Sequence, residues 1–236
     1  MTFQRGVVAV TVGLFFTTVC MAPFGVGKNL KSVEEIALEK STAEANSLIV
    51  LLQNSDYFDL VTRYSSEYNV DYRLVLALIK QESQFVHESL SEKGAMGLMQ
   101  IMPATSSDLS AELAIENISL PHENVRAGIY YLSTLLDLFK GAQEKDRIPL
   151  ALAAYNAGPA RIYDAQELAA YMGENPNSWS SIKSALPLLS KRFYSLHQAV
   201  WQDGHPRNGS FGSWKQTVRY VDTIMATYDA YTKIVN

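Results

Sequence analysis

The run DYRLVLALIKQES, Asp71 to Ser83, decides how the rest of the chain is read. Asn69 and Asp71 are both residue types that cap a helix start through a side-chain oxygen. Val75, Leu76, Leu78 and Ile79 follow as an apolar stripe at helical spacing, so the run is predicted to be an amphipathic helix. Glu82 lies seven, four and three residues beyond Val75, Leu78 and Ile79, which puts a carboxylate on the buried stripe of its own helix. Burial disfavours the charged form and raises the pKa of a carboxyl group. A carboxylic acid that keeps its proton near neutral pH is what general-acid chemistry requires.

Outward from this run the pattern stays helical. Tyr57 to Tyr68 reads as an amphipathic helix, and further helices are predicted over Val125–Lys140, Ile148–Tyr155 and Thr217–Val235. Ser32 to Gln53 has no Gly or Pro and is rich in Glu, Ala, Leu and Lys, as a helical stalk would be. Breaks rich in Gly, Pro, Asn and Ser fall at 102–110, 156–159, 173–181 and 203–213. Alternating strand patterns are nearly absent, so the expected fold is all-α with at most a very small β element.

Of the 236 residues, 47% are hydrophobic and 19% charged, an ordinary globular balance. The net charge of −4 excludes the basic footprint of a nucleic-acid binder. One cysteine allows no intramolecular disulfide, and the four histidines (His87, His122, His197, His205) have no paired metal-ligand spacing. No metal or cofactor is expected. After Arg5 comes the uncharged run GVVAVTVGLFFTTVCMAPFGVG, Gly6 to Gly27, ended by Lys28. This is the pattern of an export signal, and the run is also long enough to span a bilayer. Cys20 stands where a lipoprotein would carry its acyl group, but Thr17-Thr18-Val19 before it departs from the small residue such a site needs. The expected organisation is therefore a signal peptide or membrane anchor over 1–27, a helical linker over 28–55 and a catalytic domain over 56–236. The product would be exported to the periplasm, with membrane contact through the N-terminal segment.

Four motifs follow Glu82-Ser83 in order: GAMGLMQIMPAT (Gly94–Thr105), PHENVRAGIYYL (Pro121–Leu132), ALAAYNAGPARI (Ala151–Ile162) and TVRYVDTIMATYDAY (Thr217–Tyr231). From roughly Tyr57 to the C-terminus the chain resembles the soluble-lytic-transglycosylase domain of bacterial cell-wall enzymes. That resemblance implies a lysozyme-like, goose-type helical domain with a cleft. The implied partner is the peptidoglycan glycan strand. The implied reaction breaks the β-1,4 bond between N-acetylmuramic acid and N-acetylglucosamine without water, leaving a 1,6-anhydro end. Ordinary glycosidases use two carboxylates; this family uses one, first as acid and then as base. Glu82 matches it.

Goose-type lysozymes, which hydrolyse, carry Asp residues flanking the GLMQ motif, whereas Ile101, Met102 and Pro103 follow Gln100 here. Ahead of the motif Glu88 and Glu92 are candidate substitutes for a second carboxylate, Glu92 above all, although both also read as solvated loop charges. The resemblance further implies Ser83 beside the acid, and Gly97, Met99 and Gln100 lining the cleft. In that scheme Gly97 allows close backbone approach, Met99 gives apolar contact and Gln100 bonds the sugar. Tyr155 and Asn156 would face the glycan, and Tyr220 would stand near the acid. The family's usual flank at that last motif is Glu-Thr-Arg-x-Tyr-Val; here it is Gln216-Thr217-Val218-Arg219-Tyr220-Val221. Tyr130, Tyr131, Tyr228 and Tyr231, and the three tryptophans Trp179, Trp201 and Trp214, are expected to serve packing. Asn175–Ser190 and Gly204–Tyr220 are similar to one membrane-bound branch of the family, whose N-terminal solute-binding-like domain is not expected here.

Overall fold

The computed structural model describes residues 56–234. The expected export segment (1–27) and the stalk (28–55) lie outside the described residues. Five helices close a ring: α1 (Asp56–Glu67), α2 (Tyr72–Ser83), α9 (Trp214–Ile234), α5 (Glu144–Ala157) and α4 (Pro121–Leu138). Each packs on the next, and α4 returns to α1. The short α3 (Pro103–Leu113) rests on α4. Beside α5 stands a second layer of α6 (Pro159–Tyr171), α7 (Trp179–Ala185), two 3-10 turns and α8 (Tyr194–Val200). Among the described residues there is no named strand; Met96 makes isolated antiparallel bridges to Leu90 and Ile101. The all-α expectation holds, and this pair of bridges is its small β element.

The ring is held by the predicted stripes. Leu74, Val75, Leu78 and Ile79 of α2 are buried with Ile129 and Leu132 of α4 and Val221 and Ile224 of α9. A Leu or Ile taken fully out of water stabilises by about 1.5–3 kcal/mol. Past its charged first turn, helix α5 is apolar on every side: Leu150, Ala151, Leu152, Ala153 and Ala154 are all fully buried. That is the signature of a central helix enclosed by its neighbours. It begins one turn before the predicted Ile148, so that Pro149 falls inside the helix rather than at its start.

Asp71, not Asn69, caps α2, accepting from the Arg73 backbone N–H at 2.9 Å. The same carboxylate pairs with the Arg73 guanidinium at 2.8 Å and accepts from the Tyr228 hydroxyl of α9 at 2.9 Å. Its pKa is lowered: burial opposes this, but the Arg73 and Tyr228 bonds outweigh it. The cap thus also clamps α9 to α2, the helices that carry Tyr220 and Glu82. Two expectations are corrected. The predicted break at 102–110 is helix α3, begun by Pro103, whose fixed φ suits a first helical position. In the predicted break at 173–181, helix α7 already starts at Trp179, where Asp146 of α5 accepts from the Trp179 backbone N–H at 2.8 Å.

Candidate active site

Helix α2 ends in a left-handed residue, Gln84 (φ 52°), so the chain leaves it sharply one residue past Ser83. Glu82, in the last turn, faces an open cleft of about 420 Å³. Ser91, Glu92, Lys93, Ala95, Gln100 and Met102 form the loop wall of this cleft, Tyr155 and Asn156 the end of α5, and Gln216 the start of α9. Burial pushes the Glu82 carboxyl up to about 7, opposed by one hydrogen bond from the Tyr220 hydroxyl to Oε1 at 2.5 Å. Among the described residues no cation pairs with it. Desolvation without a countercharge is how a carboxyl stays protonated near neutrality.

Two phenols flank this acid. Tyr220 and Tyr155 are both held well above the ordinary tyrosine range, first by burial and then by the Glu82 charge. Both therefore act as neutral hydroxyls. Tyr155 donates to the Met99 backbone carbonyl at 2.8 Å and its ring lies against Tyr131, centroids 5.3 Å apart. The Thr217 hydroxyl donates to Asn156 Oδ1 at 2.8 Å, which fixes that side chain and leaves its amide N–H₂ for a ligand.

Four of the residues expected at the site line the cleft with Glu82 or bond to it: Gln100, Tyr155, Asn156 and Tyr220. Gln100, at φ 47°, donates through Nε2 to the carbonyls of Ser89 (3.0 Å) and Gly97 (2.9 Å), so its side-chain carbonyl is what remains to face a ligand. The other three are placed differently. Met99 is fully buried and packs on Gly128, where a Cβ would meet the Met99 Cβ at 2.5 Å; it is core and not an apolar cleft wall. Gly97 (φ 78°) leaves room for a side chain and not for substrate: a Cβ there would fall 2.4 Å from Cγ of Asn124. Ser83 is buried, with its hydroxyl donating to the Ile79 carbonyl at 3.3 Å, so it neither orients Glu82 nor reaches the cleft.

Asn124 organises the loop wall and was not anticipated. It is fully buried, accepts from the Met99 N–H at 2.8 Å, and donates to the carbonyls of Met96 (3.0 Å) and Ile118 (3.2 Å). Its signal in the sequence is a polar residue on the stripe that runs on to Gly128 and Tyr131, at intervals of four and three. Of the two carboxylates set beside Glu82, Glu92 lines the cleft and Glu88 is not among its lining residues. Trp201 packs as expected, buried with its indole N–H on Glu167 at 2.5 Å. Tyr231 is core, while Tyr131 borders a cavity of about 250 Å³ that continues the cleft past Tyr155 and Asn156. Among the described residues no group of three or more His, Cys, Asp or Glu could hold a metal ion, and no helix is long and apolar enough to cross a membrane.

Residues 59–196 match the model of the transglycosylase SLT domain. The chain belongs to that family. It is 32% identical over 171 residues to a membrane-bound lytic murein transglycosylase F of Desulfosudis oleivorans, covering 72% of this chain. The protein of the same name from Shewanella loihica is 33% identical over 181 residues, covering 76% of the chain. In both cases the match takes in only 35% of the relative, so the chain resembles one module of a larger protein. Among solved structures, the 70 kDa soluble lytic transglycosylase of Escherichia coli superposes with a TM-score of 0.50 at 25% identity, over 75% of this chain and 24% of that one. A complex of the 70 kDa soluble lytic transglycosylase with bulgecin A gives 0.54 at 21% identity, over 88% and 31%, a likeness of fold. The fold is thus the lysozyme-like helical one.

Proposed function

We propose that this chain is a lytic transglycosylase of peptidoglycan, cleaving the β-1,4 bond between N-acetylmuramic acid and N-acetylglucosamine without water. The observation that carries the reading is Glu82: a desolvated carboxyl, without a cationic partner among the described residues, facing an open cleft and bonded to Tyr220. Protonated Glu82 gives its proton to the glycosidic oxygen as the bond from that oxygen to C1 breaks. The carboxylate left behind takes the proton of the muramic C6 hydroxyl, whose oxygen closes on C1. The proton count balances and Glu82 is restored. Tyr220 steadies the carboxylate half of this cycle, because its hydrogen bond favours the ionised form that desolvation opposes. An internal nucleophile held against C1 carries a large effective concentration, which replaces the second carboxylate of a hydrolase. Gln100, Tyr155 and Asn156 hold the sugars. Residues 1–27 export the protein or anchor it, 28–55 link that segment to the catalytic domain, and the site of action is the periplasm.

One observation favours a second reading, hydrolysis: Glu92 lines the same cleft as Glu82 and could activate a water. The test is mass spectrometry of the fragments released from purified sacculi. Products one water lighter than hydrolysis products, with no reducing end, are expected. Reducing ends would mean a hydrolase, and intact sacculi with the chain bound would mean a murein-binding protein.

A further inference from the structure

Behind Tyr220 the cleft does not close. Gln216 lines both the cleft and a neighbouring cavity of about 380 Å³, whose walls also include Gln81, Lys215, Arg219 and Thr223. Lys215 and Arg219 are four residues apart on α9 and share one face. No carboxylate lines this cavity. The nearby Asp222 is already held by Lys183, whose Nζ lies 2.9 Å from both of its oxygens. Lys215 sits 5.5 Å above the Trp214 ring, a contact that uses none of its hydrogen-bond donors. Neither Lys215 nor Arg219 has a carboxylate partner among the described residues. Like charges at this spacing repel and destabilise a helix. In a chain of net charge −4, the pair is a local concentration of positive charge beside the cleft.

We infer that this cavity is a carboxylate-binding subsite for the peptide arm of the substrate. The inference rests on the peptidoglycan reading of the neighbouring cleft. In that polymer the lactyl group of each muramic residue carries a short peptide with free carboxylates. Arg219 presents a planar fork that matches a carboxylate, and Lys215 adds a second positive charge on the same face. Both cations also border a larger open groove of about 660 Å³ on the outer side of α9, where Trp214, Val218 and Ala226 offer apolar surface to the methyl-bearing residues of such a peptide. Glycan recognition by the cleft and peptide recognition by α9 meet at Gln216.

The test compares two substrates, peptide-bearing glycan strands and the same strands stripped by an amidase, which removes the peptide carboxylates and leaves one lactyl carboxylate close to each muramic ring, with the full chain and its Lys215→Ala/Arg219→Ala double variant. The full chain is expected to favour peptide-bearing strands by roughly tenfold in kcat/KM, the size of a charge-assisted bond made at a partly exposed site. The double variant loses that preference while its rate on stripped strands stays unchanged, and added salt narrows the preference of the full chain. Alanine on an exposed helix face keeps the helix. Arg219→Glu is a second probe and is expected to turn the preference toward stripped strands. No preference in the full chain, an undiminished preference in the double variant, or equal losses on both substrates would overturn the subsite. Equilibrium binding of both strand types to the Glu82→Gln chain, with and without the double substitution, separates the two readings. If the full chain cleaves neither strand, the catalytic reading fails, and binding still decides the subsite by the same comparison.

Discussion

The two walls of the cleft are built on different principles. One is the loop from Gln84 to Met102, whose path depends on left-handed residues at Gln84, Phe85, Gly94, Gly97 and Gln100 and on backbone bonds gathered by Asn124. The other is regular helix, the start of α9, packed against α2, and the end of α5, packed against α9. In the loop wall most motif residues hold one another: Met99, Gly97 and two of the Gln100 donors are turned inward. In the helical wall they face out, toward Glu82 and whatever binds there. A sequence motif therefore marks a wall without saying which of its residues touch a ligand.

The largest effect that bears on this contrast belongs to Glu82. Glu82→Gln is expected to lower cleavage about a thousandfold, within the usual span for a general acid. The fold pays no penalty for the change. The folded chain keeps the Glu82 proton between the ordinary value of 4.5 and about 7, where the unfolded chain releases it. Stability therefore falls as pH rises through that window. Above pH 7 the Gln variant is expected to be more stable than the parent by about 3 kcal/mol, and equal to it below pH 4, as denaturant titrations at the two pH values would report.

Next comes Asn124→Leu, which tests the loop wall. The buried Met99 N–H and Ile118 carbonyl lose their partner, at about 1–3 kcal/mol for each left unsatisfied, while the Met96 carbonyl keeps its bond from the Ile101 N–H. The expected result is a stability loss of about 3 kcal/mol or more with cleavage falling alongside, measured by thermal unfolding and turnover together. A variant of unchanged stability would mean that the loop is held by something else. Tyr220→Phe tests the helical wall. It is expected to lower the rate about tenfold with little change in stability. With the bond to the ionised form gone, the alkaline limb of the pH–rate profile moves to higher pH. A downward move would contradict the role given to the phenol. The smallest effect is expected at Glu92, exposed on the loop: Glu92→Gln should change the rate less than about twofold. A loss as large as that of Glu82→Gln would bring back the hydrolytic reading.

The helices of the ring were legible because their stripes are long and strongly periodic, as in Val75 to Ile79 and Val221 to Tyr228. Helix α3 was not, because Pro103, Thr105, Ser106, Ser107 and Ser110 read as loop residues although Pro at a first helical position starts a helix. Periodicity marked Glu82 as a carboxylate on an apolar stripe, but a Glu at a helix end can also turn into solvent, and it was the motifs around it that made it the candidate acid. Gln100, Tyr155, Asn156 and Tyr220 came from resemblance to a family and not from spacing. Met99, Gly97 and Ser83 were misplaced by the same resemblance, because a motif records that a loop must keep its shape as well as its contacts. Asn124 escaped because a polar residue inside a helix announces its partners only once the loop opposite is in place.

The central claim is that Glu82 carries a proton near neutral pH in the resting protein. Carbon NMR titration of its side-chain carboxyl in the folded chain measures this directly, with Glu82→Gln assigning the signal. A midpoint near 7, moving upward in Tyr220→Phe, is the predicted result. A midpoint at the ordinary glutamate value of about 4.5 would contradict the account.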